Sequence, residues 1–509
     1  MQKISRISGH PSLLPIINFE PHENNQFPTI TTIYMANGTL SEVMANIHKY
    51  GDLNFTGTKK YINLLGISIG MRFFYFNFII HGNLSMNNIF LDENYYPHIV
   101  NYEIYKEATD EEFYFKRIRA QSDDLYNFSI IAYELITGKK PFSESEMIEN
   151  KKRTIKMIPD CSMIKSQWLQ TFLLNGFSSD FFVKPFFSMI YKEIIQNKKE
   201  FETVFGEIDD KEVKNYINMI NHYFLSFSNK VIEKADQGDL ESIFLYGNFL
   251  YFGYGIEEDK EKASKYFKIA ADHGRSNAMY YYALMLEKGD GIKKNDKEAV
   301  RYYKMAADLG HPDAMNSYGL MLDNGQGIES NKEQAAFYYK KAADLGNLVS
   351  MNNYGIMLEF GTGVEPNQEE AVKYYKMAAD EGNCRGMLNY YVSLDNGDGV
   401  PKDTKEAIRY LKMAADQNNE CALFGYAQLL DFGEDISMNK TEAAKYYKMS
   451  ADRGYMDAMF YYGDMLESGE GVKMDKFEAA RYYKMATYLG HEKASEAYRR
   501  ISYTLNYSL

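Results

Sequence analysis

The chain has 509 residues, a hydrophobic fraction of 45% and a formal net charge of −13, the composition of an ordinary soluble globular protein long enough for about three domains. An acidic surface repels phosphate backbones and anionic lipid, so neither nucleic acid nor a membrane is expected as a partner. Three cysteines, Cys161, Cys384 and Cys421, are too far apart for a disulfide framework or a CxxC metal site, and the opening MQKISRISGHPSLLP has no apolar core of a secretory signal, so a reducing, cytoplasmic location is expected.

Residues 1 to about 195 carry no internal repeat. Within them Thr29 to Leu40 (TITTIYMANGTL) alternates polar and apolar like a half-buried strand, and Lys59 to Phe74 (KKYINLLGISIGMRFF) reads as a helix. The most apolar run, Phe73 to Ile80, is short and broken by Asn77; a membrane span needs about 20 apolar residues, so this is a core segment. There follow IIHGNLSMNNIFLDENYYPHIVNYE, then DLYNFS from Asp124 to Ser129, ELITGKKPF, and NGFSSDFFVKPFFSMI. Preceded by GHPSLLPIINF (Gly9 to Phe19), these blocks resemble a protein kinase from the end of its αC helix through its C-lobe, in the right order, with Asp124 at the start of the helix αF. The resemblance implies a kinase-like C-lobe, α with a small β remnant.

The same resemblance locates the chemistry. The catalytic-loop pattern H-R-D-L-x-x-x-N falls on His81 to Asn88. His81, Leu84 and Asn88 match, but Asn83 stands at the position of the catalytic base, and an amide cannot accept the substrate proton. The D-F-G triplet falls on Asn101-Tyr102-Glu103, and a neutral Asn101 is a far weaker Mg²⁺ ligand than aspartate. No Gly-rich loop and no β3 lysine precede His81. The chain begins about where αC would supply its glutamate. The expectation is a pseudokinase without most of its N-lobe: no catalytic residue, no cofactor and no metal, with His81, Asn83, Asn88 and Asn101 as degenerate positions. The alternative is a protein kinase, phosphorylating Ser/Thr or Tyr from ATP, whose N-lobe is missing from this chain.

Residues 196–237 read as a linker and a capping helix, with Glu212 to Asp236 helical and Ala235-Asp236-Gln237-Gly238 matching the end of a repeat. From there Gly238, Gly274, Gly310, Gly346, Gly382, Gly454 and Gly490 lie in one 36-residue register, Asn418 filling the missing place, which gives seven units over 238–489. In the second unit a first helix, about Asn277 to Lys288, places Ala278, Met279, Tyr282 and Leu286 on one face. It stops at Gly289, a left-handed cap. A second helix begins at Asn295, with Glu298 three residues on in the manner of a capping box. Ala299 and Tyr302 recur in all seven units. A helix pair this small cannot bury its apolar stripe alone, so the hairpins must stack into an α/α superhelical solenoid. These columns resemble the SEL-one-like repeat, a relative of the tetratricopeptide repeat; that resemblance implies an adaptor or scaffold. A capping helix is expected over 490–509, and the repeats are expected to fold without the N-terminal half.

The fold class expected is therefore mainly α: a kinase-like domain (1–195), then the solenoid. The function expected is a non-enzymatic adaptor whose solenoid binds other proteins, with no small-molecule substrate. Partner recognition is expected on positions that vary, such as the column Tyr281, Ser317, Asn353, Asn389, Gly425 and Tyr461. The fifth and sixth units are irregular. Tyr391 replaces a Gly or Ala, Ser393 an apolar residue, Leu411 an aromatic and Asp435 a turn glycine beside Glu434. Two readings stand: drift in a tolerant array, or a recognition surface formed by Tyr391, Glu434 and Asp435, with restoration of the consensus glycines slightly stabilising.

Overall fold

The computed structural model describes residues 16–20, 29–32, 35–50, 54–76, 81–100, 110–143, 145–146, 159–161, 163–177, 187–253, 256–433 and 435–506. The β structure among them is two short antiparallel sheets and an isolated antiparallel bridge between Thr39 and Phe90. Strands β1 (Ile16–Glu20) and β2 (Thr29–Thr32) form one, and β3 (Ile89–Leu91) and β4 (Pro97–Ile99) the other. Strand β2 falls within the run Thr29 to Leu40 that reads as a strand in the sequence, whereas its partner β1 lies upstream of that run. The described residues up to Ser350 form one compact unit and those from Met351 another.

In the first unit, helix α1 (Leu40–Tyr50) opens with a capping box, the Thr39 N–H donating to Glu42 Oε2 at 2.8 Å and the Glu42 N–H to Thr39 Oγ1 at 3.2 Å. Helix α2 (Gly57–Phe76) is buried on every side from Tyr61 to Phe74. That explains its lack of an amphipathic stripe: it is the core around which the lobe is built. Helix α3 (Asp110–Thr137) begins well before Asp124, where the sequence placed its start; DEEFYFKRIRAQSDD contains neither Gly nor Pro to stop a helix growing backwards. Helices α4 (Gln167–Phe177), α5 (Phe187–Gln196) and α6 (Lys198–Phe205) complete the lobe. Phe201 of α6 is fully buried, its ring 5.5 Å from Tyr61 and 5.9 Å from Trp168.

Helix α7 (Asp210–Asp236) has two clients. Its first half is held by the N-terminal lobe: the Asp209 N–H donates to Thr58 Oγ1 at 2.9 Å, Lys59 pairs with Glu212, and Tyr216, 1% exposed, lies 4.8 Å from the Tyr96 ring. Gly66 of α2 makes room for that phenol, since a Cβ there would meet Tyr216 Oη and approach Pro97 Cγ to 2.5 Å. Val231 and Ala235, near its other end, are buried, and the helix packs on α8 (Leu240–Phe252), the first helix of the array.

From α8 the chain alternates first and second helices. They are α9 (Lys260–Asp272), α10 (Ser276–Lys288), α11 (Asp296–Asp308), α12 (Pro312–Asn324), α13 (Lys332–Asp344), α14 (Leu348–Phe360), α15 (Gln368–Asp380), α16 (Cys384–Asn396), α17 (Thr404–Asp416), α18 (Glu420–Phe432), α19 (Lys440–Ala451), α20 (Met456–Ser468), α21 (Lys476–Tyr488) and α22 (Glu492–Asn506). The expected mainly α solenoid of seven helix hairpins is present. Every first helix from α8 to α20 ends at a left-handed glycine, Gly253 to Gly469, with φ between 62° and 82°. Each second helix is capped by the expected Asp or Asn, whose side chain accepts the N–H three residues on at 2.8–3.2 Å. The capping box is not of the usual form. The N–H of each cap is already spent on a leucine carbonyl of the first helix, Asn295 on Leu286 at 2.9 Å for example, so Glu298 accepts instead from the Asn295 side-chain amide at 3.3 Å. That backbone bond ties the two helices of a hairpin together. All three cysteines are free thiols.

Candidate functional site

Each hairpin spends its repeated side chains on itself and its neighbour. The two recurrent tyrosines of a hairpin, Tyr282 and Tyr302 and their counterparts, meet edge to face with centroids 4.7–5.0 Å apart. The aromatic that follows Tyr302, Tyr303 in the second hairpin, belongs to a column that covers a small residue of the same hairpin. A Cβ at Gly247, Gly319, Gly355 or Gly463 would stand only 2.6–2.9 Å from the ring of Phe267, Tyr339, Tyr375 or Tyr483. Hairpins are joined by a ladder. Asp272, Asp308, Asp380 and Asp452 each accept from the lysine four residues earlier at 2.6–2.7 Å and from the hydroxyl of the next hairpin's Tyr302-column tyrosine at 2.5–3.0 Å. The Lys268 and Tyr302 bonds hold the Asp272 carboxyl below its usual range. Burial raises the Tyr303, Tyr375 and Tyr447 phenols, which keeps their hydroxyls as donors to Glu287, Glu359 and Asp431.

The variable column is half-buried throughout. Tyr281 stacks on Phe267 of the hairpin before it at 5.4 Å and Tyr461 on Tyr447 at 5.5 Å, while Asn389 donates to Asn352 at 2.8 Å. Its side chains thus contribute to the seam between hairpins as well as to the surface.

The irregular positions resolve into separate effects. Asn418 and Asp435 take the left-handed backbone of the glycines they replace, with φ of 64° and 59°. Tyr391 is half-buried where other hairpins carry a small residue, and Leu411, 1% exposed, stands where they carry an aromatic ring. The two changes are one exchange of bulk between facing columns. Ser393 is buried and bonds the Asn389 carbonyl at 3.0 Å. Gln417, whose column is otherwise outward, is 2% exposed and bonds the Gly382 carbonyl at 3.3 Å; a column occupied by Leu309 and Arg453 elsewhere gave no sign of this. Glu434 lies outside the described residues.

In the N-terminal lobe His81, Asn83 and Asn88 come together, and Asn101 lies outside the described residues. His81 is fully buried with Nε2 2.9 Å from the Val100 carbonyl, and its Nδ1 accepts the Asn83 N–H at 3.2 Å. Asn88 donates to the Asn83 carbonyl at 2.8 Å, and buried Asp124 of α3 accepts the Gly82 N–H at 3.1 Å. The loop is braced through its backbone, while the Asn83 residue itself is exposed. Asp124 is the brace that sequence matching quoted only as the start of a helix.

Burial pushes His81 down to about 4. An unfolded histidine titrates near 6.5, so this group's contribution is intact above about pH 6.5 and lost as pH falls towards 4. Between pH 7 and pH 5 it is expected to cost the fold about 2 kcal/mol. Urea unfolding of the protein and of His81→Gln at both pH values checks this; an equal pH dependence in the two would disprove it.

The Sel1 repeat family profile matches residues 240–274, 276–311, 312–347, 348–383, 389–419, 422–455 and 457–491. Among solved structures the chain is similar to c5321, a protective antigen of uropathogenic Escherichia coli displaying an SLR fold, at 24% identity and a TM-score of 0.49, covering 61% of this chain and 67% of that one. It is also similar to a Sel1 repeat protein from Oxalobacter formigenes, at 27% identity and a TM-score of 0.43, covering 45% and 91%. Among curated proteins it is similar to a probable LRR receptor-like serine/threonine-protein kinase from Arabidopsis thaliana, 26% identical over 157 residues, 28% of this chain and 23% of that protein. The leucine-rich repeat receptor protein kinase MSP1 from Oryza sativa subsp. japonica is 25% identical over 168 residues, 29% and 13%. The chain spans less than a quarter of the length of these curated relatives.

Proposed function

We propose, from the premise that residues 240–491 are a Sel1 repeat solenoid, that the protein is a non-enzymatic scaffold that binds other proteins through its repeats. The observation that carries this reading is the division of labour within each hairpin. The repeated Ala, Tyr, Asp and Gly are consumed by packing, capping and the ladder, while the half-buried column from Tyr281 to Tyr461 changes identity from unit to unit. Such a surface distinguishes partners without performing chemistry. Capture of cellular proteins on the intact chain, followed by Asn353→Ala and Asn389→Ala, tests it: partners that bind this surface lose affinity, and a full set of partners indifferent to both changes counts against it.

The kinase-like lobe fits the scaffold as a catalytically dead docking module, in the cytoplasm and without cofactor or metal. Asn83 supports this reading, because the position of the proton acceptor is a neutral amide. The weak kinase similarities favour the second reading, an active kinase whose N-lobe is not in this chain. The two readings differ in outcome. Incubation with radiolabelled ATP, Mg²⁺ or Mn²⁺ and a generic substrate is expected to give no phosphotransfer, and ATP–Mg²⁺ at millimolar concentration no rise in melting temperature. Turnover that vanishes in Asn88→Ala would establish the kinase instead. The proposed division of the chain is a kinase-like domain over 1–195, a connecting segment and cap over 196–237, seven repeats over 238–489 and a closing helix over 490–509.

A further inference from the structure

We propose that the joint between the fifth and sixth hairpins is a hinge built into the array, about which α18 to α22 tilt as a block against α16 and α17. Two fasteners hold the joints before the second, third, fifth and seventh hairpins, and both fail at this one. The first fastener is the ladder. At Asp272, Asp308, Asp380 and Asp452 the carboxylate is divided: Oδ2 accepts from the lysine of its own helix and Oδ1 from a tyrosine hydroxyl of the next hairpin. Asp416 is not divided. Lys412 donates to both of its oxygens, at 3.0 and 2.8 Å, and the hydroxyl of Tyr446, which stands in the column of Tyr410 and Tyr482, donates to neither. The seam keeps its apolar contacts, with Ala422 and Leu423 buried, but not the directed bond. Burial has no preferred direction and permits sliding, whereas a hydrogen bond to a carboxylate fixes one geometry.

The second fastener is a close approach of backbones. Gly291, Gly327, Gly399 and Gly471 seat their loops against the first residue of the preceding second helix, respectively Lys260, Asp296, Gln368 and Lys440, and an added Cβ would collide with its backbone. In the sixth hairpin this column holds Asp435, which keeps the left-handed backbone with a φ of 59° but whose Cβ excludes the same approach to Thr404. A crevice of about 310 Å³ lies between that loop and α17, lined by Thr404, Lys405, Ile408, Asp435 and Ile436. The first joint has a crevice too, of about 530 Å³ beside α9, yet it keeps both fasteners, so a void alone does not make a hinge.

The connection between the two hairpins departs as well. Asn418 has a φ of 64° where the glycines of its column have 84–96°, a left-handed backbone that an L residue adopts at a cost. The Asn419 N–H reaches the Ala414 carbonyl at 3.4 Å, and the corresponding bonds at the other joints are 2.8–3.3 Å. On its other side the fifth hairpin is pinned, because Gln417 donates to the Gly382 carbonyl of the turn before it at 3.3 Å. Movement is therefore placed after Gln417, between two hairpins that each stay intact. A hinge here lets the end of the array change its tilt without unfolding a unit. This goes beyond the scaffold reading and does not depend on it.

Spin labels carried on ketone amino acids, which leave the native cysteines in place, test this on the full chain. Glu369, Lys405, Thr441 and Phe477 form one exposed column on the second helices of the fourth to seventh hairpins. The distance distribution of the Lys405–Thr441 pair is expected to be about twofold broader than those of the Glu369–Lys405 and Thr441–Phe477 pairs. Three equal widths overturn the proposal. Phenylalanine variants give a second measure. Tyr410→Phe and Tyr482→Phe each remove a hydrogen bond to a carboxylate and are expected to speed amide exchange about tenfold in α16 and α20 respectively, whereas Tyr446→Phe leaves exchange in α18 unchanged. A Tyr446→Phe variant that loosens its joint as much as Tyr410→Phe would show the fastening to be present there, and likewise overturn the hinge.

Discussion

Tyr216→Ala is expected to destabilise the first compact unit by about 3–5 kcal/mol, the usual cost of deleting a large aromatic from a packed core. Tyr216 is 1% exposed, fills the space left by Gly66 and lies against Tyr96. The loss should spread in both directions, because α7 is packed on α2 at one end and on α8 at the other. Amide exchange should therefore accelerate in α2 and in α8 and α9, while α20 and α21 stay protected. A loss below 1 kcal/mol, or one confined to the N-terminal lobe, would show that α7 does not link the two. The same contacts bear on a fragment beginning at Lys211. It would carry the array but expose Val213, Tyr216 and Ile220, all buried in the intact chain. Such a fragment is expected to be helical yet prone to associate until those three residues are made polar.

Tyr391 and Leu411 are expected to be strongly coupled. Tyr391→Gly removes bulk facing a leucine and places glycine inside α16, a loss of about 3 kcal/mol. Leu411→Tyr brings a second large ring to a site already filled from the other side, a loss of about 2–3 kcal/mol. The double variant recreates the glycine–tyrosine arrangement of Gly355 with Tyr375 and Gly463 with Tyr483, where ring and backbone fit. Its stability should return to within about 1 kcal/mol of the parent, a coupling of several kcal/mol. Denaturant unfolding of the four proteins measures it. Additive losses would mean that the two residues do not share one space. Restoring the glycine alone is thus expected to destabilise the array, contrary to what the consensus suggests.

The solenoid was legible in the sequence because each repeated residue has a local reason to be there. A left-handed cap, an N-cap and a close-packed alanine can each be read without knowing the rest of the chain. Compensation between columns was not legible, since Tyr391 and Leu411 look like two unrelated departures until the columns are seen to face each other. Gln417 was missed for the same reason: its neighbours in the column point outward. For α7, the spacing of Val213, Tyr216 and Ile220 says that one face is covered but not that the N-terminal lobe covers it. At the His81–Asn88 loop the sequence located His81, Asn83 and Asn88, whereas the role of Asp124 depends on a bond 42 residues long in sequence.

The Asp–Lys–Tyr ladder makes the hairpins interchangeable parts. Asp272 presents to Tyr302 the same carboxylate that Asp308 presents to Tyr338, and Asp452 to Tyr482. Removing residues 276–311 would therefore bring Tyr338 to Asp272 with the same partners as before. Gene-level duplication or loss of a whole 36-residue unit would leave this fastening intact at the new joint, so the array can change length without losing it. The fifth hairpin is the exception in its interior, with its exchanged bulk at Tyr391 and Leu411, but its Tyr410 still keeps the common fastening to Asp380 of the fourth. Individual units can thus drift inside while remaining free to be copied, moved or dropped.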